Sequence, residues 1–440
     1  MWICGRFGRN AWRGWPELTG WSAAGPTAGH GRQLATVFGT VRVERIAYRA
    51  VEAANLHPAD AMLDLPPGKH SHGLRRLAAV EAVRGSFEDA AAAIGRSTGV
   101  AVGKRQVEQL AQAAAVDIEG FYAQREVDPE DPQTLLVLTF DGKGVVMRPE
   151  ALRPATAKAA ATSTPKLATR LSPGEKKGRK RMAELACVHD ATPAPRTPGD
   201  VIGHPGRSRD RARGPVATGK WLTASVTDDI GQVIAAGLDE ATRRDPEHER
   251  TWVALVDGNR TQIEAITAEA RRRKVDVHIV CDFIHVLEYL WKAAWSFFDK
   301  ADPDAETWVT DQATKILEGK AAQVAAGIRR RATTFGYSPD ERAGADETAG
   351  YLTSKKPYLD YHAALSAGWP IATGVIEGTC RHLVKDRMDI TGARWALPGA
   401  EAILRLRALT SNGDFDNYWT FHLQNEHQRI HSSRYLNHPS

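Results

Sequence analysis

The fold is decided by residues 251–283, which read TWVALVDGNRTQIEAITAEARRRKVDVHIVCDF. Apolar side chains dominate 251–257 and 275–283, which predicts a strand at each end of the stretch. Between them, residues 259–273 have the composition and spacing of a helix. Two strands joined by a helix pair in parallel, because parallel pairing needs a long crossover connection. The stretch therefore predicts an α/β fold that contains a parallel strand pair.

Upstream of this unit the sequence predicts three further strands. The continuous apolar run LLVLTF at 135–140 is typical of a buried strand, and the sequence DGKG follows it. Strand-like segments come next at 182–190 and 220–226, and a helix is predicted over 229–244. Residues 148–181 form a low-complexity insert rich in Ala, Thr, Pro and Lys.

Downstream of the unit the sequence is almost entirely helical. Residues 286–365 predict a block of helices, and two more helices are expected over 374–387 and 398–410. Residues 411–440 are expected to form a C-terminal tail outside the ordered part.

Residues 36–130 are predicted to form a mostly helical N-terminal region that binds DNA. Residues 1–35 lack any regular period, so we expect a poorly ordered N-terminus, and 36–50 alternate as in a short hairpin. Helices are predicted over 73–84 and 103–116, and a third lies between them. Its expected N-cap is Ser86, with Asp89 three residues on, and Gly99 ends it. This order has the outline of a helix-turn-helix, although many helical hairpins bind no nucleic acid.

The bulk composition limits the protein class. The chain has 440 residues, with 58 basic and 53 acidic side chains and a net charge of +5, which is too mild to prove a nucleic-acid partner. The 4 cysteines are far apart, which argues against a disulfide framework. Neither a secretory signal nor an apolar stretch long enough for a membrane span is present. We therefore expect a cytoplasmic protein.

Two aspartates stand at the ends of predicted apolar strands. Asp141 follows the strand at 135–140, Asp257 ends the strand at 251–257, and a glycine follows each of them. Carboxylates at the carboxyl ends of strands line the crevice in which open α/β sheets place their sites. The alternative is structural, because Asp-Gly is also a favoured turn pair.

A third acid, Glu377, lies in the predicted helix GVIEGTCRHLVKDRM at 374–388. Arg381 and Lys385 follow it at i+4 and i+8 and share its face. One helix face would then offer a metal-binding acid and two phosphate-binding bases. The alternative is a surface ion pair between Glu377 and Arg381.

The order of the three acids predicts nuclease chemistry. An acid after a first strand, another after a later parallel strand and a third on a later helix is the layout of an RNase H-like core. Two divalent ions about 3.5–4 Å apart need several carboxylates that converge from separate elements. Oxygen ligands favour Mg²⁺ or Mn²⁺. Asp141, Asp257 and Glu377 are therefore the predicted metal ligands and catalytic residues.

Five segments carry a resemblance to a known family. They are TFDGKGV (139–145), RRD (243–245) followed by WVALVDGN (252–259), CDFIHVLEYLWKAAW (281–295), GVIEGTCRHLVKDRMDITGARW (374–395) and AEAILRLRAL (400–409). Through them the chain resembles bacterial insertion-sequence transposases of the DDE class, specifically the ISKra-type family, which is similar in layout to Mutator-like transposases.

The resemblance implies an RNase H-like catalytic domain over 131–410, with the basic insert at 148–181 and a helical insertion at about 286–370. It implies two-metal-ion cleavage of DNA at transposon ends and strand transfer into target DNA. Asp141, Asp257 and Glu377 would form the acidic trio with two Mg²⁺ or Mn²⁺ ions. The implied partner is double-stranded DNA, both transposon ends and target, bound by a homo-oligomer of at least two chains. The implied location is the bacterial cytoplasm, in association with the nucleoid.

Asp282 and His285 form a DxxH pair that competes with this assignment. Related transposases carry a similar element, usually as an accessory to the trio, so Asp282 is a rival for the role of Asp257. His285 would orient a substrate phosphate or cap the following helix.

Several other residues are predicted to contact DNA. The Arg394–Trp395 pair is typical of the family, and Trp395 would stack on a flipped base or else serve as a core tryptophan. Basic side chains that would neutralise phosphates are Lys176, Lys177, Arg179, Lys180, Arg181, Arg207, Arg209, Arg211, Arg213, Arg381, Lys385 and Arg394. The alternative for the basic stretches is a solvated insert.

Two other functions compete with transposition. A catalytically decayed or domesticated relative would bind DNA without cutting it. A zinc-dependent hydrolase would use His278, Cys281 and His285, although His278 and Cys281 face opposite sides of a strand.

Overall fold

The fold is that of a computed structural model of the chain. The structure describes residues 22–23, 30–49, 55, 57–127, 131–162, 178–203, 211–390 and 392–432.

Strands and helices follow one another along the chain in three stretches. The first stretch contains β1 (Ser22–Ala23), β2 (His30–Thr36), β3 (Gly39–Arg45), β4 (Tyr48–Arg49), α1 (Pro58–Met62), α2 (His72–Arg84), α3 (Phe87–Thr98), α4 (Lys104–Ala114) and α5 (Ile118–Gln124). Next come β5 (Leu135–Val146), α6 (Pro154–Thr162), β6 (Lys180–Ala191), α7 (Pro198–Val201), β7 (Ala217–Ser225), α8 (Ile230–Arg244), β8 (Trp252–Val256), α9 (Arg260–Arg273) and β9 (Val277–Cys281). The last are α10 (Phe283–Ala294), α11 (Pro303–Leu317), α12 (Ala321–Thr334), α13 (Ala343–Ser354), α14 (Tyr361–Ser366), α15 (Gly374–Thr379), α16 (Asp386–Met388), α17 (Leu397–Ser411) and α18 (Phe415–His427).

The chain folds as two compact units. The first unit joins Met1–Gln124 to Asp414–Ser440, and the second is Arg125–Gly413. The expected tail after residue 410 therefore contains a helix, α18, which packs against α5. Apolar residues in α18, such as Tyr418 and Trp419, are buried, and this burial fixes the helix in the first unit.

The first unit contains the predicted hairpin and the three predicted helices. Strands β2 and β3 pair antiparallel with Thr36 opposite Gly39, so the hairpin begins at His30, inside the segment expected to be poorly ordered. At the start of α3, Ser86 accepts a hydrogen bond from the Asp89 amide, and the Asp89 side chain accepts one in return. Gly99 ends this helix at φ 68°. Local capping signals therefore predicted these helix ends correctly.

The second unit is a mixed α/β structure built on a five-stranded sheet. The strand order is β7-β6-β5-β8-β9, in which β5, β8 and β9 are parallel and β6 is antiparallel to both of its neighbours. All residues of Trp252–Val256 are buried, which is typical of a central strand covered on both faces. The predicted parallel pair joined by α9 is confirmed.

Helices cover both faces of this sheet. Gly237 of α8 lies against Phe140 and Ala186, and a Cβ there would come within 3.0 Å of the Phe140 ring. Side chains alternate along a strand, so the next residue, Asp141, points to the opposite face. Cys380, in the segment after α15, contacts Asp141 on that face.

Strand β5 is longer than the sequence predicted. It continues through Asp141 and Gly142 to Val146, because β6 extends from Lys180 to Ala191 and keeps the antiparallel ladder intact. The Asp-Gly pair is therefore not a turn. The predicted end of β5 at residue 140 is therefore wrong, because pairing with β6 continues beyond it. The parallel pairing of β5 with β8, however, does stop close to that point, at Thr139 opposite Leu255.

A buried ionic network secures the other end of the sheet. Arg244 donates to Glu240 at 2.9 Å and to Asp190 at 2.6 Å, and Arg250 donates to Asp190 at 2.6 Å. Asp245 accepts from the Trp252 indole at 2.7 Å. The RRD segment at 243–245 therefore holds α8 to the amino ends of β5 and β8, far along the strands from Asp141.

The predicted helical block is observed as α10 to α14. No helix in the described parts of the chain combines the length and apolarity that crossing a membrane requires.

Candidate active site

Asp141 and Asp257 come where the pairing between two neighbouring parallel strands ends. The last paired residues are Thr139 of β5 and Leu255 of β8, and each aspartate comes two residues after one of them, with Asp257 just beyond the last residue of β8. Both are partly buried at the carboxyl end of the parallel pair. This is the position at which open α/β sheets form ligand sites.

The loop after β8 fixes the backbone around Asp257. The Asp257 Oδ1 atom accepts a hydrogen bond from the Asn259 amide at 2.7 Å, and Asn259 caps α9. Gly258 adopts φ 91°, and a Cβ at this position would lie 3.0 Å from the Tyr351 hydroxyl. That hydroxyl donates to the Asp257 carbonyl oxygen at 3.4 Å. The helical block therefore packs directly behind Asp257.

Glu377 reaches the same region on α15. Its side chain is exposed, and the helix continues from Cys380 to Lys385 as a π-helix. The Cys380 thiol donates to Asp141 Oδ2 at 2.9 Å. Burial, the Asp141 charge and, more weakly, the Glu377 charge raise the pKa of this thiol, so it remains a protonated donor. Cys380 thus connects the helix bearing Glu377 to the strand bearing Asp141.

The three carboxylates lack basic partners. Among the described residues, no Lys, Arg or His nitrogen lies within 4.0 Å of a carboxylate oxygen of Asp141, Asp257 or Glu377, and the alternative Glu377–Arg381 ion pair does not form. Nor do the oxygens of all three acids converge within 4.8 Å of one another. Carboxylates that form no ion pair can accept a cation.

Asp282 occupies a structural position. It is fully buried and caps α10, with Oδ1 accepting from the Ile284 amide at 3.0 Å and the Thr373 amide at 3.3 Å. Its Oδ2 accepts from the Thr373 hydroxyl at 2.5 Å and from His285 Nδ1 at 3.3 Å. Thr373 directly precedes α15, so Asp282 links the end of β9 to the start of the helix bearing Glu377.

His285 pairs with Asp282 and lies within range of the Asp257 charge. Its hydrogen bond to Asp282 is the main cause that raises the pKa of His285 to about 8, and the Asp257 charge contributes further. Hydrogen bonds from His285 and Thr373 lower the pKa of Asp282 against the effect of burial. The pair is therefore a charged imidazolium–carboxylate at neutral pH.

A small basic cleft adjoins Asp141. Its charged lining consists of Lys143 of β5, Lys180 of β6, Lys385 of the π-helix and one acid, Asp389. The Lys180 stem crosses over Gly144, where a Cβ would come within 2.8 Å of it. In the described parts of the chain, none of these lysines forms an ion pair. We call this set the lysine cleft.

The other residues predicted to bind DNA have mixed positions. Arg179, Arg211, Arg213, Arg381 and Arg394 are exposed. Lys176, Lys177, Arg207 and Arg209 lie outside the described residues. Arg181 differs from the prediction, because it donates to the carbonyl oxygens of Val226 at 2.5 Å, Ala151 at 3.3 Å and Thr227 at 3.4 Å. Its guanidinium therefore stabilises the loop before α8.

Trp395 is buried in the core, which is the second of the two roles considered for it. It is 5% exposed, its indole N–H donates to the Met388 carbonyl oxygen at 3.0 Å, and Arg387 lies over its ring. Its backbone pairs with Met147, just beyond the end of β5. A base could not stack on this ring without displacing its neighbours.

The predicted zinc-ligand set does not converge among the described residues. His278 stacks on Trp369, with ring centroids 4.5 Å apart. Cys281 is buried, which raises the pKa of its thiol to about 12. His285 is committed to Asp282.

Sequence reasoning missed four residues that build the site: Lys143, Tyr351, Thr373 and Cys380. Lys143 belongs to the DGKG segment, which was expected to follow the strand. The sequence did not indicate that the strand continues through Lys143. Cys380 is three residues after Glu377, and i,i+3 spacing on a helix could have indicated that the two side chains share a face.

No protein-family model matches the chain, and no curated protein matches it significantly.

Proposed function

We propose that this protein is a metal-dependent DNA strand-cleaving enzyme, a transposase of the DDE class. The observation that carries the proposal is that Asp141 and Asp257 each come two residues after the last paired residues of neighbouring parallel strands, and that Cys380 holds the helix of Glu377 against Asp141. The strand order β7-β6-β5-β8-β9 supports an RNase H-like core. Asp141 lies on β5, the first strand of this sheet along the chain, and Asp257 directly follows β8, the fourth.

The residues present fit divalent cations. Asp141, Asp257 and Glu377 supply hard oxygen ligands that no base neutralises in the described structure, and such ligands favour Mg²⁺ or Mn²⁺. When bound, the ions would lower the barrier to phosphodiester cleavage by stabilising the attacking and leaving oxygens. Asp141 would have to exchange its Cys380 contact for a metal contact.

The lysine cleft supports a polyanionic substrate. Lys143, Lys180 and Lys385 outnumber Asp389, the one acid in the cleft, and Lys143 is two residues from Asp141, so the cleft would attract a DNA backbone. Exposed Arg381 and Arg394 would extend this surface.

Asp282 and His285 are assigned as positioning residues. All four hydrogen bonds to Asp282 organise the starts of α10 and α15, so its carboxylate is satisfied without a metal. This favours Asp257 as the second acid.

The test is nicking of a supercoiled plasmid that carries the gene with its flanking genomic DNA, in Mg²⁺ or Mn²⁺. Asp141→Asn, Asp257→Asn and Glu377→Gln should each reduce nicking to below about one-hundredth of the wild-type rate, because each removes a charged ligand. DNA binding, measured by gel shift, should persist in all three. Excess EDTA should abolish nicking by the wild type.

Glu264→Gln is the matched control, since Glu264 is an exposed acid on α9 that pairs only with Arg260 among the described residues. It should nick normally. Nicking that survives Asp257→Asn but not Asp282→Asn would reassign the second acid. A wild-type protein that shifts the DNA without nicking it would be the non-catalytic DNA-binding alternative.

A further inference from the structure

The first unit contains a group of potential metal ligands that the proposed catalysis does not use. Asp64, His427 and His431 each offer one ligating atom, and these three atoms lie within 4.8 Å of one another. It is the one such group of three or more in the described parts of the chain. Two imidazoles and a carboxylate form a ligand set typical of zinc.

The two histidines come from one helical segment. His427 is the last residue of α18, and His431 follows at i+4 in a terminal π-helix, Gln428–Ser432. Residues at this spacing share a face, and the ring centroids are 5.1 Å apart. The segment therefore presents both rings to the same point.

Asp64 reaches that point from a distant part of the sequence. It follows α1 at φ 46°, a left-handed conformation that is uncommon for residues other than glycine. Asp64 Oδ1 lies 2.9 Å from His427 Nδ1 and 4.0 Å from His431 Nε2. Asp64 and His427 are separated by 363 positions in the chain.

Neighbouring groups hold these ligands in place. His72 Nε2 lies 2.8 Å from the Asp64 carbonyl oxygen, which fixes the unusual backbone conformation. His431 Nε2 lies 3.1 Å from the Leu65 carbonyl oxygen, a contact that orients the ring and that this nitrogen would exchange for the metal. The side chain of His431 is 6% exposed, whereas those of Asp64 and His427 are 42% and 41% exposed, so an ion could enter from solvent.

We propose that Asp64, His427 and His431 bind a zinc ion that clamps the C-terminal helix to the segment after α1. A water molecule would complete a four-coordinate zinc. The three ligating atoms would each have to come within about 2.0–2.2 Å of the ion, so the side chains would rotate toward one another on binding. The ion stabilises the first unit, because it binds the folded arrangement and not the separated segments. This role is independent of the acids and of strand cleavage.

The test uses the untagged full chain, produced with zinc, desalted and analysed for metal content. The wild type should retain about one zinc per chain. His427→Asn/His431→Asn and Asp64→Asn should lose it, with zinc affinity weakened by more than about 100-fold, beyond the effect of losing an outer-shell partner. Added zinc should raise the melting temperature of the wild type and leave that of these variants unchanged.

Two controls separate this site from others. His278→Asn/His362→Asn removes two histidines from the second unit, and Asp257→Asn removes a proposed catalytic acid; both should retain zinc. A wild type that binds no zinc, or cluster variants that still bind it, would overturn the proposal.

A rescue variant guards against simple misfolding. His427→Cys keeps a zinc ligand at the same place, so it should retain the metal. Its Co²⁺ form should gain a thiolate charge-transfer band that the wild type lacks. Absence of that band in a folded, cobalt-containing variant would also contradict the proposal.

Discussion

At the scale of single residues, the structure separates acids that resemble one another in the sequence. Asp141, Asp257 and Asp282 all come at or near the ends of apolar segments. Asp282 accepts four hydrogen bonds and is fully buried, whereas Asp257 is partly exposed and accepts one from Asn259. A satisfied, buried carboxylate is a structural cap, while an acid with open oxygens can take a cation.

The His285–Asp282 pair gives a prediction about pH. The pKa of His285 is raised from 6.5 to about 8, first by its hydrogen bond to Asp282, with the Glu288 and Asp257 charges adding to the effect. Because the folded-state pKa lies above the unfolded one, the stabilisation is complete below about pH 6.5 and is lost as pH rises through about 8. NMR titration of the imidazole should report this value.

Asp282→Asn is the informative variant for this titration. It should lower the pKa of His285 markedly, and Asp257→Asn should lower it less. The loss of stability between about pH 6.5 and about pH 8 should also disappear in His285→Gln, because this variant has no imidazole to titrate. A His285 that titrates identically in wild type and Asp282→Asn would show that the hydrogen bond does not control it.

At the scale of elements, the buried ionic network at the amino ends of β5 and β8 predicts a large stability effect. Arg250 is 7% exposed and donates to Asp190 and to the Leu135 carbonyl oxygen. Arg250→Met leaves the buried Asp190 with one cation fewer, which should cost about 3–5 kcal/mol of unfolding free energy.

Urea denaturation measures this change. Arg272→Met is the matched control, because Arg272 forms an exposed pair with Glu269 on α9 and such pairs contribute about 0–1 kcal/mol. Equal effects of the two substitutions would mean that burial does not strengthen the network.

The elements also show what could be predicted from the sequence. Segments with a strong local signal, such as 251–283 and the Ser86 cap, agree with the observed elements to within a few residues. Asp141 was expected to end its strand, and it does not, since β6 continues the ladder beyond it. Register between distant strands is a tertiary property that no local pattern encodes.

The candidate site was predictable to the same extent. Asp141, Asp257 and Glu377 were predicted from their order along the chain, and the parallel pairing ends two residues before each of the two aspartates. The Cys380–Asp141 contact joins residues 239 positions apart, and the helix turns from α to π between Glu377 and Lys385. The π-helix has i→i+5 bonds and a longer turn, so the i+8 spacing from which Lys385 was placed on the face of Glu377 does not hold there.

At the scale of the molecule, a net charge of +5 says little, but its distribution next to the acids predicts a salt effect. The lysine cleft holds three lysines without ion pairs in the described structure. Each phosphate contact that a lysine makes releases condensed counterions, so it contributes to the slope of log affinity against log salt concentration.

The corresponding experiment measures binding of a mixed-sequence DNA duplex at several salt concentrations. Lys143→Ala/Lys180→Ala/Lys385→Ala should lower the magnitude of that slope by up to about 2.7, at about 0.9 per lost contact. Lys292→Ala/Lys315→Ala/Lys320→Ala makes the same change in net charge on the helical block, where Lys292 and Lys320 already pair with Glu347 and Glu318. If the two triple variants change the slope equally, net charge governs DNA binding. If only the first does, the polyanion contacts the surface beside Asp141, where cleavage requires it to lie.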